Sequence, residues 1–133
     1  MNLNQDDISD ELRYFLNLGV KVKKSGSKNL ELQFYHTELN DEDFDKLLTL
    51  RHIESLVFYL SNIDDSRIEK LSEIATLKKL GIYSCKNVTN LSIATLTKLN
   101  LQELFIIDTG ITDEGKLELK SLVPNTKLHV KLS

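Results

Sequence analysis

Apolar residues recur along this chain with two periods at once. Over the long range, Leu32, Leu56, Leu80, Leu104 and Leu128 stand 24 residues apart without a slip. Two residues after each comes a second apolar side chain: Phe34, Phe58, Ile82, Ile106 and Val130. Ile53, Leu77 and Leu101 lie three residues before a leucine of this series, and Leu39, Ile63, Val88 and Ile111 lie seven or eight after. Around each leucine the short period is two, which marks a strand with alternating faces: Leu104 and Ile106 turn one way, Glu103, Phe105 and Ile107 the other.

A small polar residue follows each strand: Thr37, Ser61, Cys85 or Thr109. After the next apolar residue stands a polar pair, Asn40-Asp41, Asp64-Asp65, Thr89-Asn90 or Thr112-Asp113. Their side-chain oxygens suit a helix N-terminus, where the first-turn amides lack intrahelical acceptors. Apolar residues at helical spacing come next: Phe44, Leu47 and Leu48; Ile68 and Leu71; Ile93 and Leu96; Leu117 and Leu122. The pattern predicts four strand–loop–helix units over 29–132, with a final strand near Lys127 to Leu132. One such unit cannot bury its apolar side alone, but stacked units bury each other. The expected fold is therefore α/β: a short solenoid with a parallel sheet on its concave face and helices on its convex face. The third unit carries one extra loop residue, Lys86 or Asn87. The fourth has Lys116 where an apolar helix residue is expected, with Leu117 one place later.

The chain reads as a single domain, 1–133. Residues 1–28 form an N-terminal cap. Ile8, Leu12, Phe15 and Leu16 share one face of an amphipathic helix over Asp6 to Leu18, which Asp6 or Asp7 starts and Gly19 ends. Val20-Lys21-Val22 alternates like an edge strand, and Lys24-Ser25-Gly26-Ser27 reads as a turn. At the other end no helix is expected over the last strand. Lys127 and Lys131 discourage edge-to-edge pairing there.

The segment Leu101-Gln-Glu-Leu104-Phe-Ile106-Ile-Asp-Thr109-Gly-Ile111-Thr-Asp113 and its three counterparts resemble the leucine-rich-repeat family, in the strand–helix form of ribonuclease-inhibitor-like and bacterial repeat proteins, here with 24-residue repeats. The resemblance covers about Asn29 to Leu132. It implies a fold and leaves function open, because one fold carries many functions.

The outward strand positions form three columns. The first is Glu31, Ser55, Lys79, Glu103, Lys127; the second Gln33, Val57, Gly81, Phe105, His129; the third Tyr35, Tyr59, Tyr83, Ile107, Lys131. Three tyrosines at one position in successive units make a stripe, flanked by Val57, Phe105 and Ile107. Tyrosine offers a protein partner a large apolar area and a hydroxyl at small entropic cost; it also simply suits strands. The partner-binding set expected from this reading is Tyr35, Tyr59, Tyr83, Val57, Phe105, Ile107, Lys79, Glu103, His129 and Lys131. Asp64, Asp65 and Asp108 are expected on the rim.

Composition and charge narrow the class. The formal net charge of −3 gives no reason to expect nucleic acid. No apolar run is long enough to span a bilayer and the N-terminus does not resemble a signal peptide, so no membrane association is expected and a cytoplasmic location is. The lone Cys85 excludes an internal disulfide and is expected to be a buried structural thiol. Gly110-Ile-Thr-Asp-Glu-Gly115-Lys116-Leu117 approaches a phosphate-cradling loop. Leu117 replaces the hydroxyl that would hold magnesium, and Asp113 and Glu114 bring negative charge into the cradle. His36, His52 and His129 fall in different units without ligand spacing. No catalytic residue, metal or cofactor is expected. The function this reading favours is a non-catalytic module that holds one protein partner on its concave sheet, as an inhibitor or immunity protein would. A basic partner would support the inhibitor version. The alternatives are a self-assembling protein that dimerises through its C-terminal edge strand, or the recognition subunit of a larger complex.

Overall fold

Each strand of the sheet lies beside the one that precedes it in the chain. The computed structural model describes residues 10–25 and 28–133. Within them the chain is α/β, with one open six-stranded sheet and five helices. In order these are α1 (Asp10–Asn17), β1 (Lys21–Ser25), β2 (Asn29–Tyr35), α2 (Asp41–Thr49), β3 (Ile53–Tyr59), α3 (Asp65–Lys70), β4 (Lys79–Tyr83), α4 (Ile93–Lys98), β5 (Glu103–Ile107), α5 (Asp113–Leu122) and β6 (Lys127–Val130). β1 runs antiparallel to β2, and every later pair is parallel.

The sequence spacing reappears as register. Leu32, Leu56, Leu80, Leu104 and Leu128 are successive partners across the sheet, as are Phe34, Phe58, Ile82, Ile106 and Val130. A slip of one residue would turn both rows to solvent, so burial pins the pairing. Leu32, Phe34, Leu56, Phe58, Leu80, Ile82, Leu104 and Ile106 join Phe15, Phe44, Leu47, Ile68, Leu96 and Leu119 of the helices in one core. Phe34 and Phe58 stack there with centroids 4.9 Å apart. Leu128 and Val130 pack against this core only partly buried.

All four expected helix starts carry their caps. Asn40 accepts from the Asp43 amide while Asp43 reaches back to the Asn40 amide; Asp64 caps α3, Thr89 the short 3-10 turn leading into α4, and Thr112 α5. Side chains then tie neighbouring loops together. The Thr89 amide (2.8 Å) and hydroxyl (2.6 Å) and the Ser92 hydroxyl (2.5 Å) all donate to Asp65. One position further along the sheet, the Thr112 amide donates to Asn90 Oδ1 at 3.0 Å. Asn62 grips Leu39 twice, taking its N–H and donating to its carbonyl. Ser61 and Cys85, pointing inward, donate to the carbonyls of Phe34 and Phe58 on the preceding strand.

In β2 to β5 the residue that ends the outward row is followed by one in the left-handed region: His36 (φ 53), Leu60 (φ 50), Ser84 (φ 54) and Asp108 (φ 56). This conformation costs a non-glycine residue about 1–2 kcal/mol. Amide bonds hold it in place, His36 to the Tyr59 carbonyl, Leu60 to Tyr83 and Ser84 to Ile107, each at 2.9–3.0 Å.

Three expectations change. α5 does not bury Leu117 and Leu122; Leu117 is 56 % exposed, and Leu119 and Lys116 face inward instead. A lysine stem can serve as an apolar side chain if its ammonium finds oxygens. Lys116 Nζ finds the Lys131 carbonyl at 2.6 Å and Asp113 at 3.5 Å. The last strand ends at Val130, so Lys131 lies beyond it, exposed. Lys24 and Ser25 belong to β1 rather than to a turn. In the cap, α1 buries Leu12 and Phe15, and Gly19 (φ 89) follows its end. Asp6, Asp7, Ile8, Gly26 and Ser27 lie outside the described residues. α1 is held to α2 by a hydrogen bond from the Tyr14 hydroxyl to Asp43 and by Lys46, 3.9 Å above the Tyr14 ring.

Candidate partner-binding face

With the helices packed on one face of the sheet, the opposite face is left open. Its side chains are those at the other parity of each strand. Tyr35 is 48 % and Tyr59 37 % exposed, while Val57, Tyr83, Glu103, Phe105, Ile107 and His129 are half-buried against their neighbours. Lys79 is exposed. Two polar residues on this face are nearly covered, Gln33 and Ser55. Gln33 donates to Glu31, which fixes both side chains at the β2 end.

Tyr35, Tyr59 and Tyr83 stand side by side in one row, and the line of rings continues beyond them. Tyr35 to Tyr59 is 5.9 Å between centroids and Tyr59 to Tyr83 is 6.5 Å, both tilted. The line then crosses from the third column into the second. Tyr83 stacks on Phe105 at 5.9 Å, and Phe105 on His129 at 4.1 Å with the rings 6° from parallel. The crossing is possible because Gly81 has no side chain. A Cβ there would stand 2.9 Å from Tyr83 Cε2. Ile107 is thus a neighbour of the line rather than part of it, and His36 joins at its edge, 5.8 Å from Tyr59. Gly81 and His36 were absent from the expected set. A glycine inside a strand is the signal for close approach that pointed to the first.

Electrostatics divide the face. His129 Nε2 lies 2.8 Å from Glu103 Oε2, so the last ring is both stacked and anchored. Burial pushes the Tyr83 hydroxyl above the usual phenol value, with Tyr35 and Glu103 adding to it. Along the lower edge, the cross-strand series runs Lys23, Glu31, Ser55, Lys79, Glu103, Lys127, with Lys21 beside Gln33. The described part of the open face therefore carries four lysines against two glutamates, although the whole chain is acidic at −3. The acid excess sits elsewhere, notably in the first turns of α2 and α5.

The three acids expected on the rim all have partners within the chain. Asp64 caps α3, Asp65 is consumed by Thr89 and Ser92, and Asp108 is bound by Lys86 and by Ser84 at 3.0 Å. Burial alone would raise the Asp65 carboxyl, but the bonds from Ser92 and Thr89 outweigh it and hold it below the usual carboxylate range. The hydrogen bonds from Lys86 and Ser84 depress Asp108 in the same direction.

An open cavity of about 580 Å³ lies at the C-terminal end of the sheet, lined among others by Lys86, Asp108, Asp113, Lys116 and Lys131. It includes the segment that approaches a phosphate loop. Its two glycines serve close packing: a Cβ on Gly110 would meet the Lys86 carbonyl, and one on Gly115 the Asn90 side chain. The Gly115 amide is taken by Thr112 Oγ1 at 3.1 Å. Cys85 is buried, and burial pushes its thiol up, away from the reactive thiolate. Among the described residues no group of three His, Cys, Asp or Glu side chains is placed to hold a metal ion, and no helix is long and apolar enough to cross a membrane. No known family model matches the chain, and no curated protein matches it.

Proposed function

We propose that this chain is a short leucine-rich-repeat stack that acts without catalysis, by holding one protein partner on the open, concave face of its sheet. The observation that carries the reading is the continuous line of rings from Tyr35 through Tyr59, Tyr83 and Phe105 to His129. Aromatic side chains at the centre of a sheet face, with charged groups below them, match the apolar centre and polar rim of protein interfaces. The 24-residue register supports the repeat assignment, because it places equivalent side chains side by side on every parallel strand. Such a surface works by occupancy, masking or tethering what it binds, in the manner of an inhibitor or immunity protein. The single buried thiol suits a reducing compartment, and the reading places the protein in the cytoplasm.

The test is co-purification with tagged protein from its source, followed by binding measurements on the protein recovered. Tyr59→Ala combined with Tyr83→Ala is expected to weaken that complex by ~2 kcal/mol or more, the scale of interface hot spots. The double variant should still unfold cooperatively, at a midpoint lowered by the lost ring pairs, and its affinity is read at a temperature where it is fully folded. Full affinity in the double variant would sink the proposal.

A further inference from the structure

We propose that the segment docked on this face is acidic and extended in a polyproline II conformation, with acidic residues at every third position. The inference rests on the docking role just proposed and names the chemistry of what docks. The face that would meet the partner is opposite in sign to the chain as a whole.

Charge is the first argument. Glu31 is engaged by Gln33, and Glu103 by His129 at 2.8 Å. Among the described residues, Lys21, Lys23, Lys79 and Lys127 form no ion pair. The contacts from Gln33 and His129 hold the two carboxylates in place without cancelling their charge, so the face carries four lysines against two glutamates, and none of the four lysines has an ion-pair partner among the described residues. Lys79 and Lys127 flank Glu103 on the neighbouring strands; in the next row along the strands stand Gly81, Phe105 and His129, and Tyr83 lies one row beyond Gly81.

Spacing is the second. Lys79 and Lys127 are two strands apart in the same row, which at the usual strand separation is about 9.6 Å. A polyproline II helix repeats its side chains every three residues, about 9.3 Å. An extended β peptide repeats a side at about 6.7 Å or 13 Å, a poorer match to this backbone spacing. The rings complete the match. Polyproline II segments dock on rows of aromatic side chains, which receive the flat pyrrolidine faces, and they lose little entropy because they are already extended. A single nucleic-acid strand also stacks on aromatic rings, but it carries a phosphate at every residue and would set one beside Glu103 between the two lysines, where a segment with acids only at every third position sets none.

The probes are three synthetic peptides on one scaffold: four Pro-Pro-Glu triplets, four Pro-Pro-Gln triplets and four Pro-Pro-Lys triplets, titrated into isotope-labelled protein by NMR. The glutamate peptide is expected to shift the ring signals of Tyr59, Tyr83 and Phe105 and the amides around Lys79 and Lys127. The glutamine peptide should bind more weakly and the lysine peptide not at all. Lys79→Gln with Lys127→Gln should lower the glutamate peptide's affinity by roughly three- to tenfold, the scale of two exposed ion pairs, with an unchanged unfolding midpoint. Several results overturn the inference: equal or tighter binding of the lysine peptide, shifts confined to the helical side, no binding of the glutamate peptide, or tighter binding of an oligouridylate at the same residues. If the peptides fail while a co-purified partner still depends on Tyr59 and Tyr83, the acidic-segment inference falls and the docking role stands. If that partner is indifferent to both tyrosines, the docking role falls with it.

Discussion

Gly81→Ala isolates the device on which the aromatic line depends. The new methyl would stand 2.9 Å from Tyr83 Cε2 and 3.6 Å from Val57 Cγ2. The first contact is too short to persist, so the Tyr83 ring must swing away, and in swinging it leaves Phe105. Two terms then oppose each other. Alanine inside a strand is better than glycine by roughly 0.5–1 kcal/mol, because the unfolded chain has less freedom to lose. Loss of an aromatic pair costs roughly 0.5–1.5 kcal/mol beyond buried area. The net effect in the native chain is expected within about 1 kcal/mol of zero. In a Tyr83→Ala background nothing opposes the gain, and Gly81→Ala should stabilise by the full ~0.5–1 kcal/mol. Urea unfolding of the four proteins gives the coupling directly, and it should be about 0.5–1.5 kcal/mol. Tyrosine ring shifts in the single variant should report the displaced stack. The reasoning is refuted if Gly81→Ala changes stability equally in both backgrounds, to within about 0.3 kcal/mol.

Other substitutions probe other parts of the fold. Leu80, fully buried in the middle strand, should cost ~2–5 kcal/mol when cut to alanine, measured by denaturant unfolding. Asp65 has a depressed folded-state pKa, so its contribution is present above the unfolded value and lost as pH falls through the folded one. Asp65→Asn should therefore lose stability at neutral pH and show a flatter decline below about pH 4, as thermal midpoints across pH would show. Leu60 spends left-handed backbone strain at an exposed position, and Leu60→Asn should stabilise by about 0.5–1 kcal/mol, since asparagine tolerates that region.

The backbone of this protein was far more legible in the sequence than its surface. The leucine spacing translated directly into register because strand pairing is discrete: a row either aligns or flips to the other face. The polar pairs before each helix were legible for a similar reason, since a helix start has few alternative partners. Side-chain reach was not legible. Lys116 read as polar, yet its stem fills an apolar site and its charge is met by Lys131 and Asp113, a C-terminal contact with no local signature. Column logic kept Tyr83 over its own strand position, whereas the vacancy at Gly81 lets it lean toward Phe105. Asp65 and Asp108 were expected on an open rim because nothing in their own segments shows that Thr89, Ser92 and Lys86 will claim them.

A sheet whose strands succeed one another in chain order also has a mechanical character. No strand is locked between two that are distant in the chain, so tension applied near β6 acts on the β5–β6 ladder before any other. The load would peel one strand at a time, each detachment passing the full force to the next row of amide bonds and to the loop ties beside it. Under a pulling experiment such a molecule is expected to lengthen in steps of roughly one unit rather than in a single rupture.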